Sequence, residues 1–504
     1  MRHAAARPDK VALLFEDEAW TYARLLRDVR SHAAGLAAAG VRPGHKIGLM
    51  LETTPTFIML EYAAFMLGAI VVPMNMHYRT NEIAHVLETC EVEFLVIESA
   101  FADRLPAGLR ENCPALQRIF ALGGPAAGAP VEDGRRLAAD PDAAPPLAQL
   151  GADDVTLMLY TSATTGKAKG VMLTIGNLEQ NYDRTPDWLG LASDEVTLCA
   201  LPLYNTFALN QCINALIHLG ATMVLLRRFD AVACMAAIQR HRCTFFPAVP
   251  TMLQKVFNHP DAARYDLSSI RRIVTGGAPV PASVLAHVHA CTGHHVTVIT
   301  GYGLTEATAL NSIHEVRLGD DGQLDRPKSL GRALPGIEIA IRDESGAEVP
   351  FGTVGEICIK GPCVMKGYYK LPDMTADAIR DGWLRTGDLG AMEADGHFTI
   401  VDRKKDLIIR GGQNIYPADI EEVLYGHPAV AEAAVVPLAD DLMGEVPQAF
   451  VALKPGASAT PADLLDHCRG RLASYKVPAS VEIRDELPKG PTGKILRRGL
   501  RANA

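Results

Sequence analysis

Apolar positions recur along the chain first at helical spacing, then at strand spacing, and the alternation repeats. Residues 21–36 carry them on one helical face, and 46–51 form a short apolar run that reads as a strand. Residues 57–67 read as a second helix, 69–72 as a strand stopped by Pro73, 80–88 as a helix and 94–97 as a strand. The pattern resumes with strands at 155–159, 222–226, 272–275 and 296–299. Strands alternating with helices predict an α/β architecture: mostly parallel sheets flanked by helices.

The pattern changes twice. Residues 122–146 are rich in Ala, Gly and Pro and read as a surface excursion. From Gly331 onward, short strands and turns such as 337–341 and 355–360 predict an antiparallel β subdomain. A helix at 417–424, a strand at 433–436 and a helix at 462–471 then predict a small α+β domain at the C-terminus. The expected division is 1–403 and 404–504. No internal repeat is visible.

Composition narrows the function classes. A chain of 504 residues is too long for one core. Its net charge of −9, with no long basic block, argues against a nucleic-acid binder. No apolar run reaches the ~18 residues of a membrane span, and the N-terminus has no secretory core. Ten cysteines lie scattered without a CxxC pair, which predicts buried free thiols, a reducing cytoplasm and no zinc site.

The densest candidate chemistry is the loop Tyr160-Thr-Ser-Ala-Thr-Thr-Gly-Lys-Ala-Lys-Gly170. Hydroxyls and backbone N–H groups wrap phosphate oxygens, and lysine neutralises their charge. It is not a Walker loop, because Gly166-Lys167 is followed by Ala168. An ordinary Ser/Thr/Gly turn is the alternative. Next comes Gly301-Tyr-Gly-Leu-Thr-Glu-Ala-Thr308, at a strand end where parallel sheets bind ligands. Tyr302 offers a flat face for a base, and Thr305 and Glu306 offer oxygens for Mg²⁺; Thr305 reads equally as a helix cap.

A third cluster joins Thr386-Gly-Asp388 to Asp402-Arg403. Asp388 suits a ribose, with Arg403 beside it. Standing alone, this cluster reads rather as a solvated hairpin with Asp402-Arg403 at its bend. The fourth, Pro488-Lys-Gly-Pro-Thr-Gly-Lys494, presents a lysine on a Gly/Pro loop, or else is a basic tail.

Together, and in this order, these motifs resemble the adenylate-forming enzymes: acyl-CoA synthetases, aryl-CoA ligases, luciferases and peptide-synthetase adenylation domains. The resemblance runs from about Pro8 to Arg498 and includes Pro202-Leu-Tyr204 and Thr275-Gly-Gly-Ala-Pro279. It implies ATP-dependent activation of a small carboxylic acid to an acyl-adenylate, with Mg²⁺, followed by transfer to coenzyme A. A carrier-protein pantetheine thiol is the alternative acceptor. A luciferase-like oxygenase and a binding-only relative remain as other classes, and monomer and homodimer both stay open.

The resemblance also implies roles. Thr161, Ser162, Thr164, Thr165, Gly166 and Lys169 would hold the β- and γ-phosphates. Thr305 would touch the α-phosphate and Glu306 would ligate Mg²⁺. Tyr302 would flank adenine opposite Gly277, Ala278 and Pro279, and Asp388 and Arg403 would hold the ribose. Lys494 would bridge carboxylate and α-phosphate, with Lys405 as the pivot of the small domain. Gly411 and Gly412 would border the pantetheine tunnel, and Tyr204, Asn205, Phe207 and Leu310 the acid pocket.

Three positions depart from the family pattern. Ala163 stands for a glycine, Ala168 for a proline and Asn205 for a histidine. Leu209 and Ile213, near Phe207, favour an apolar acyl or aryl group.

Overall fold

A computed structural model describes all residues except 125–130, 162–167, 277–279, 294, 320, 490–494 and 502–504, and except the side chains of residues 110 and 498. The chain divides into two compact units. One comprises Met1–Ile339 with Ile359–Arg385, the other Ala340–Cys358 with Thr386–Ala504. The division at 403/404 expected from sequence falls inside the second unit.

The first unit is built on two large sheets. In one, strands Val155–Thr161, Ile70–Pro73, Lys46–Met50, Phe94–Glu98, Arg118–Leu122 and Glu132–Asp133 run parallel in that spatial order. Lys169–Thr174 pairs antiparallel with Val155–Thr161, and Gly367–Tyr368 extends that edge. The other sheet runs Thr297–Tyr302, Arg272–Gly276, Phe245–Pro247, Val196–Cys199, Thr222–Leu225 and Val11–Phe15, again parallel. Strands buried on both faces are near-continuous apolar runs, as Phe94, Leu95, Val96 and Ile97 show at 0% exposure.

Helices cover these sheets. Tyr22–Ala38 starts at Thr21, whose hydroxyl accepts from Arg24 N (3.2 Å). It packs on Pro55–Leu67, a helix apolar almost all round and therefore buried almost all round. The Ala/Gly/Pro-rich excursion is more ordered than its composition suggests. Glu132–Asp133 adds a strand to the sheet, and the fully buried Leu137 lies over Gly35 of the first of these helices.

In the second unit the C-terminal sheet is larger than expected. Val430–Asp440 and Gly444–Leu453 form a long antiparallel hairpin, with Ser480–Arg484 parallel on its far side. The expected strand at 433–436 is only its most apolar part. Helices Pro417–Tyr425 and Pro461–Arg469 supply Ile420, Leu424, Leu464 and Cys468 to the core beneath it. All ten cysteines are free, and only Cys291 is less than fully buried.

Candidate active site

The strand Thr297–Tyr302 ends beside Arg272–Gly276, and both strand ends carry glycine in register, Gly301 beside Gly276. The chain then folds back tightly. Ala309 N donates to Leu304 O (3.2 Å) and Asn311 N to Tyr302 O (2.8 Å). A Cβ on Gly303 would stand 1.4 Å from Ala309 O, so only glycine fits there. Thr308 and Ala309 both take positive φ, +52° and +80°, a costly conformation for side-chain-bearing residues. The fold-back places Thr305 and Glu306 on a short 3₁₀ turn next to the strand end, and Met365 N donates to Glu306 O (2.9 Å).

Glu306 gathers partners from two further segments. Thr161 donates to its Oε1 from 3.4 Å, and Tyr368 OH from 3.2 Å. Lys169 Nζ lies 4.5 Å from the centroid of the Tyr368 ring. Burial lowers the Lys169 pKa, and Glu306 opposes that shift. Burial raises Tyr368, reinforced by Glu306, so its phenol stays a donor. A cation, two hydroxyl groups and a carboxylate thus meet beside the pair where Val155–Thr161 ends and Lys169–Thr174 begins. Just before that second strand, His85 Nε2 lies 2.8 Å from Ala168 O.

Among the described residues, no three His, Cys, Asp or Glu side chains gather to cage a metal. Glu306 fits Mg²⁺ differently, as one carboxylate that leaves the remaining positions to water and substrate oxygens.

In the second unit, Asp388 and Arg403 stand opposite each other on paired strands, with Arg403 Nε 3.0 Å from Asp388 Oδ1. Asp388 is 3% exposed. Its turn is braced three times. Asp388 N donates to Thr386 Oγ1 (3.1 Å), Thr386 Oγ1 to Ile357 O (2.7 Å) and Gly387 N to Glu356 Oε1 (3.1 Å). Asp402 is not at a solvated bend. It lies within the strand Phe398–Arg403 at 6% exposure, and its carboxylate accepts from Arg403 N and Ala418 N. The turn falls earlier, where Gly396 N donates to Glu393 O.

Arg497 is the centre of a buried ion cluster. It makes a bidentate contact with Glu421 (2.9 and 2.7 Å) and reaches Asp402 (3.2 Å) and Asp406 (3.0 Å). Those carboxylates raise its pKa against the pull of burial. Lys405 lies exposed on the short turn Lys404–Asp406. Gly411 and Gly412 both have positive φ, and Gly411 N donates to Met443 O (2.8 Å).

Asn205 caps the helix that begins at Thr206, its Oδ1 accepting from Ala208 N (3.0 Å). Leu310 is 5% exposed, and a Cβ on Gly301 would meet it at 2.5 Å. The Tyr204 hydroxyl is buried with no partner among the described residues, and burial pushes it up to about 12. Ser162, Thr164, Thr165, Gly166, Gly277, Ala278, Pro279 and Lys494 lie outside the described residues.

Comparison with known proteins decides the family. The AMP-binding enzyme family matches residues 1–369, and the AMP-binding enzyme C-terminal domain matches residues 419–494. The chain belongs to the AMP-binding enzymes. It is 38% identical to a feruloyl-CoA synthase of Amycolatopsis sp over 99% of its own length and 97% of the relative's. Among solved structures it resembles ATP-bound MatB from Rhodopseudomonas palustris, with TM-score 0.87 and 31% identity over 99% and 96% of the two chains. It also resembles the Bacillus subtilis o-succinylbenzoate-CoA synthetase MenE in complex with its acyl-adenylate OSB-AMP, with TM-score 0.85 and 32% identity over 99% and 97%. The protein is therefore an AMP-forming acid–thiol ligase that uses ATP, Mg²⁺ and coenzyme A. No helix among the described residues is long and apolar enough to cross a membrane.

Three residues of this AMP-binding enzyme escaped the sequence reading. Tyr368 was signalled only by the aromatic pair Tyr368-Tyr369 between glycine and lysine. Glu356 was signalled by an acid inside an otherwise apolar strand, Gly355–Lys360. Arg497 looked like one more charge in a basic tail.

Proposed function

We propose that the cluster of Thr161, Lys169, Glu306 and Tyr368 is the phosphate and Mg²⁺ end of the ATP site. The observation that carries this is the Glu306 carboxylate, held by two hydroxyl donors with an ammonium group beside the same tyrosine ring. The physical problem is bringing a carboxylate onto a polyphosphate, two anions. Mg²⁺, when bound, neutralises phosphate charge. Lys169 adds a fixed cation, and the hydroxyls of Thr161, Ser162, Thr164 and Thr165, with the backbone at Gly166, add donors. Thr305 contacts the α-phosphate.

Tyr302 faces adenine across from Gly277, Ala278 and Pro279, and Asp388 accepts the ribose hydroxyls with Arg403 beside it. Lys494 supplies the positive charge between carboxylate and α-phosphate during adenylation. Residues 404–504 then turn about Lys405, and Gly411 and Gly412 admit the pantetheine arm. The bracing of Asp388 by Thr386 and Glu356 supports the ribose role, because a carboxylate fixed before binding needs no reordering.

Tyr204, Asn205, Phe207 and Leu310 form the acid pocket in this reading, and the acid is aryl or largely apolar. The relatives act on both kinds of acid: feruloyl-CoA synthase and 2-succinylbenzoate–CoA ligase on the aromatic side, a long-chain-fatty-acid–CoA ligase on the aliphatic side. A carrier-protein pantetheine thiol is the alternative acceptor. The buried free thiols suit a reducing cytoplasm, and the protein acts as a monomer or homodimer. Acid-dependent pyrophosphate release across a panel of aryl and alkyl acids, with coenzyme A or a phosphopantetheinyl carrier protein as acceptor, tests all of this. Release without any acid preference, or thioester on carrier protein alone, would overturn the corresponding part.

A further inference from the structure

The helix after Asn205 is wound in three parts: Thr206–Ala208 and Ala215–Leu219 are α-helical, and Leu209–Asn214 between them is a π turn. Such turns are rare and cluster at functional sites. This one is clamped on two sides. Asn214 Nδ2 donates to Leu209 O (3.1 Å) and Glu61 Oε1 (3.3 Å), while Tyr62 OH donates to Asn214 Oδ1 (2.8 Å). Asn210 Nδ2 donates to Asn181 Oδ1 (3.3 Å) and Thr185 Oγ1 (3.0 Å). Asn181 Nδ2 in turn donates to Leu310 O (2.7 Å), so one side chain links the π turn to the Leu310 wall.

Some polar atoms here stay unpaired among the described residues, Asn210 Oδ1 and Glu61 Oε2 among them, and Gln211 is unpaired throughout. Its side chain is 0% exposed, yet neither amide atom has a partner among the described residues. Leaving a buried polar group unpaired is costly, and a leucine or methionine at this position would avoid that cost. Gln211 follows Phe207 by four residues, across the change from α to π winding. The unpartnered Tyr204 hydroxyl sits at the start of the same segment.

We propose that Gln211 is a specificity-determining residue for an acid whose far end carries a hydroxyl group. A hydroxyl donates to the amide oxygen and accepts from the amide nitrogen, satisfying both orphaned atoms at once. An all-carbon end leaves both unpaired, and sites built to bond a substrate hydroxyl reject the analogue lacking it strongly. The inference rests on the acid-pocket reading of Tyr204, Phe207 and Leu310.

The test compares matched acids: 3-phenylpropanoate against 3-(4-hydroxyphenyl)propanoate, and octanoate against 8-hydroxyoctanoate. For the full chain with ATP, Mg²⁺ and coenzyme A, kcat/KM favours the hydroxy acid at least tenfold in one pair. Gln211→Met lowers that ratio at least tenfold without lowering Tm. Gln211→Asn, which keeps a shortened amide, lowers it at least threefold and decides the matter if the methionine variant does not fold. A wild-type ratio at or below one in both pairs, or a ratio unchanged in the folded variants, overturns the assignment of Gln211 alone. Pyrophosphate release with no acid at all overturns the acid-pocket reading together with it.

Discussion

Tyr368 and Glu306, 62 positions apart, share a hydrogen bond of 3.2 Å from phenol to carboxylate. In the proposed reading this bond and the weaker one from Thr161 hold the Glu306 carboxylate in place for phosphate and Mg²⁺. Tyr368→Phe removes the donor and leaves the ring under Lys169. The loss of about 1–2 kcal/mol of orientation corresponds to roughly 5- to 30-fold. It is expected as a raised Mg²⁺ requirement and a raised KM for ATP, with KM for the acid unchanged. Pyrophosphate release titrated with Mg²⁺ measures it.

The fold-back after Tyr302 stores backbone strain at Ala309 and depends on Gly303. Gly303→Ala drives a methyl group into Ala309 O and is expected to destabilise by about 3 kcal/mol or more. Ala309→Gly relieves the positive φ against a larger loss of chain entropy, for a net gain of about 0.5–1 kcal/mol. Urea unfolding of the two variants is expected to move in opposite directions.

Glu61 is 0% exposed, and burial pushes its carboxyl from 4.5 up to about 8, with Asn214 opposing. A carboxyl raised in the folded state keeps its proton there while the unfolded chain has lost it. Stability is then fully present below the unfolded value and falls as pH rises towards the folded one. Between about pH 5 and 8 the slope is about 1.4 kcal/mol per unit. Glu61→Gln is expected to flatten this slope and to be the more stable protein at pH 8. Thermal unfolding of both proteins across that range checks it.

Arg497 balances three carboxylates inside the second unit. Arg497→Ala leaves Glu421 and Asp402 without their cation and Asp406 with Arg501 alone, at a cost of about 3–5 kcal/mol. Arg497→Lys keeps charge but loses the bidentate fit and is expected to fall between. Guanidinium unfolding followed in the second unit orders the three proteins.

The parts of this molecule that show in the sequence are those set by neighbours in the chain. Phe94 to Ile97 is an apolar run, and Thr305-Glu306 follows a strand. Asp388 follows a glycine that turns at φ +73°. What stayed hidden depends on distant partners. Asp402 looked solvated because Arg497 and Ala418, which bury it, come far later. Tyr368 has no role until Lys169 and Glu306 are beside it. The π turn at Leu209–Asn214 is invisible to a helical period, because one extra residue shifts the faces without changing composition. The long hairpin at Val430–Asp440 was read short because Glu432 and Pro437 interrupt its apolar run, while its pairing with Gly444–Leu453 supplies the continuity.

In the proposed mechanism one lysine, Lys494, serves adenylation and not thioester formation. The most direct measurement separates the half-reactions of Lys494→Ala. Acyl-AMP formation from acid and ATP is expected to drop at least a hundredfold, while thioester formation from supplied acyl-AMP and coenzyme A stays within a few-fold of wild type. Equal loss in both half-reactions, or retention of both, would contradict the account.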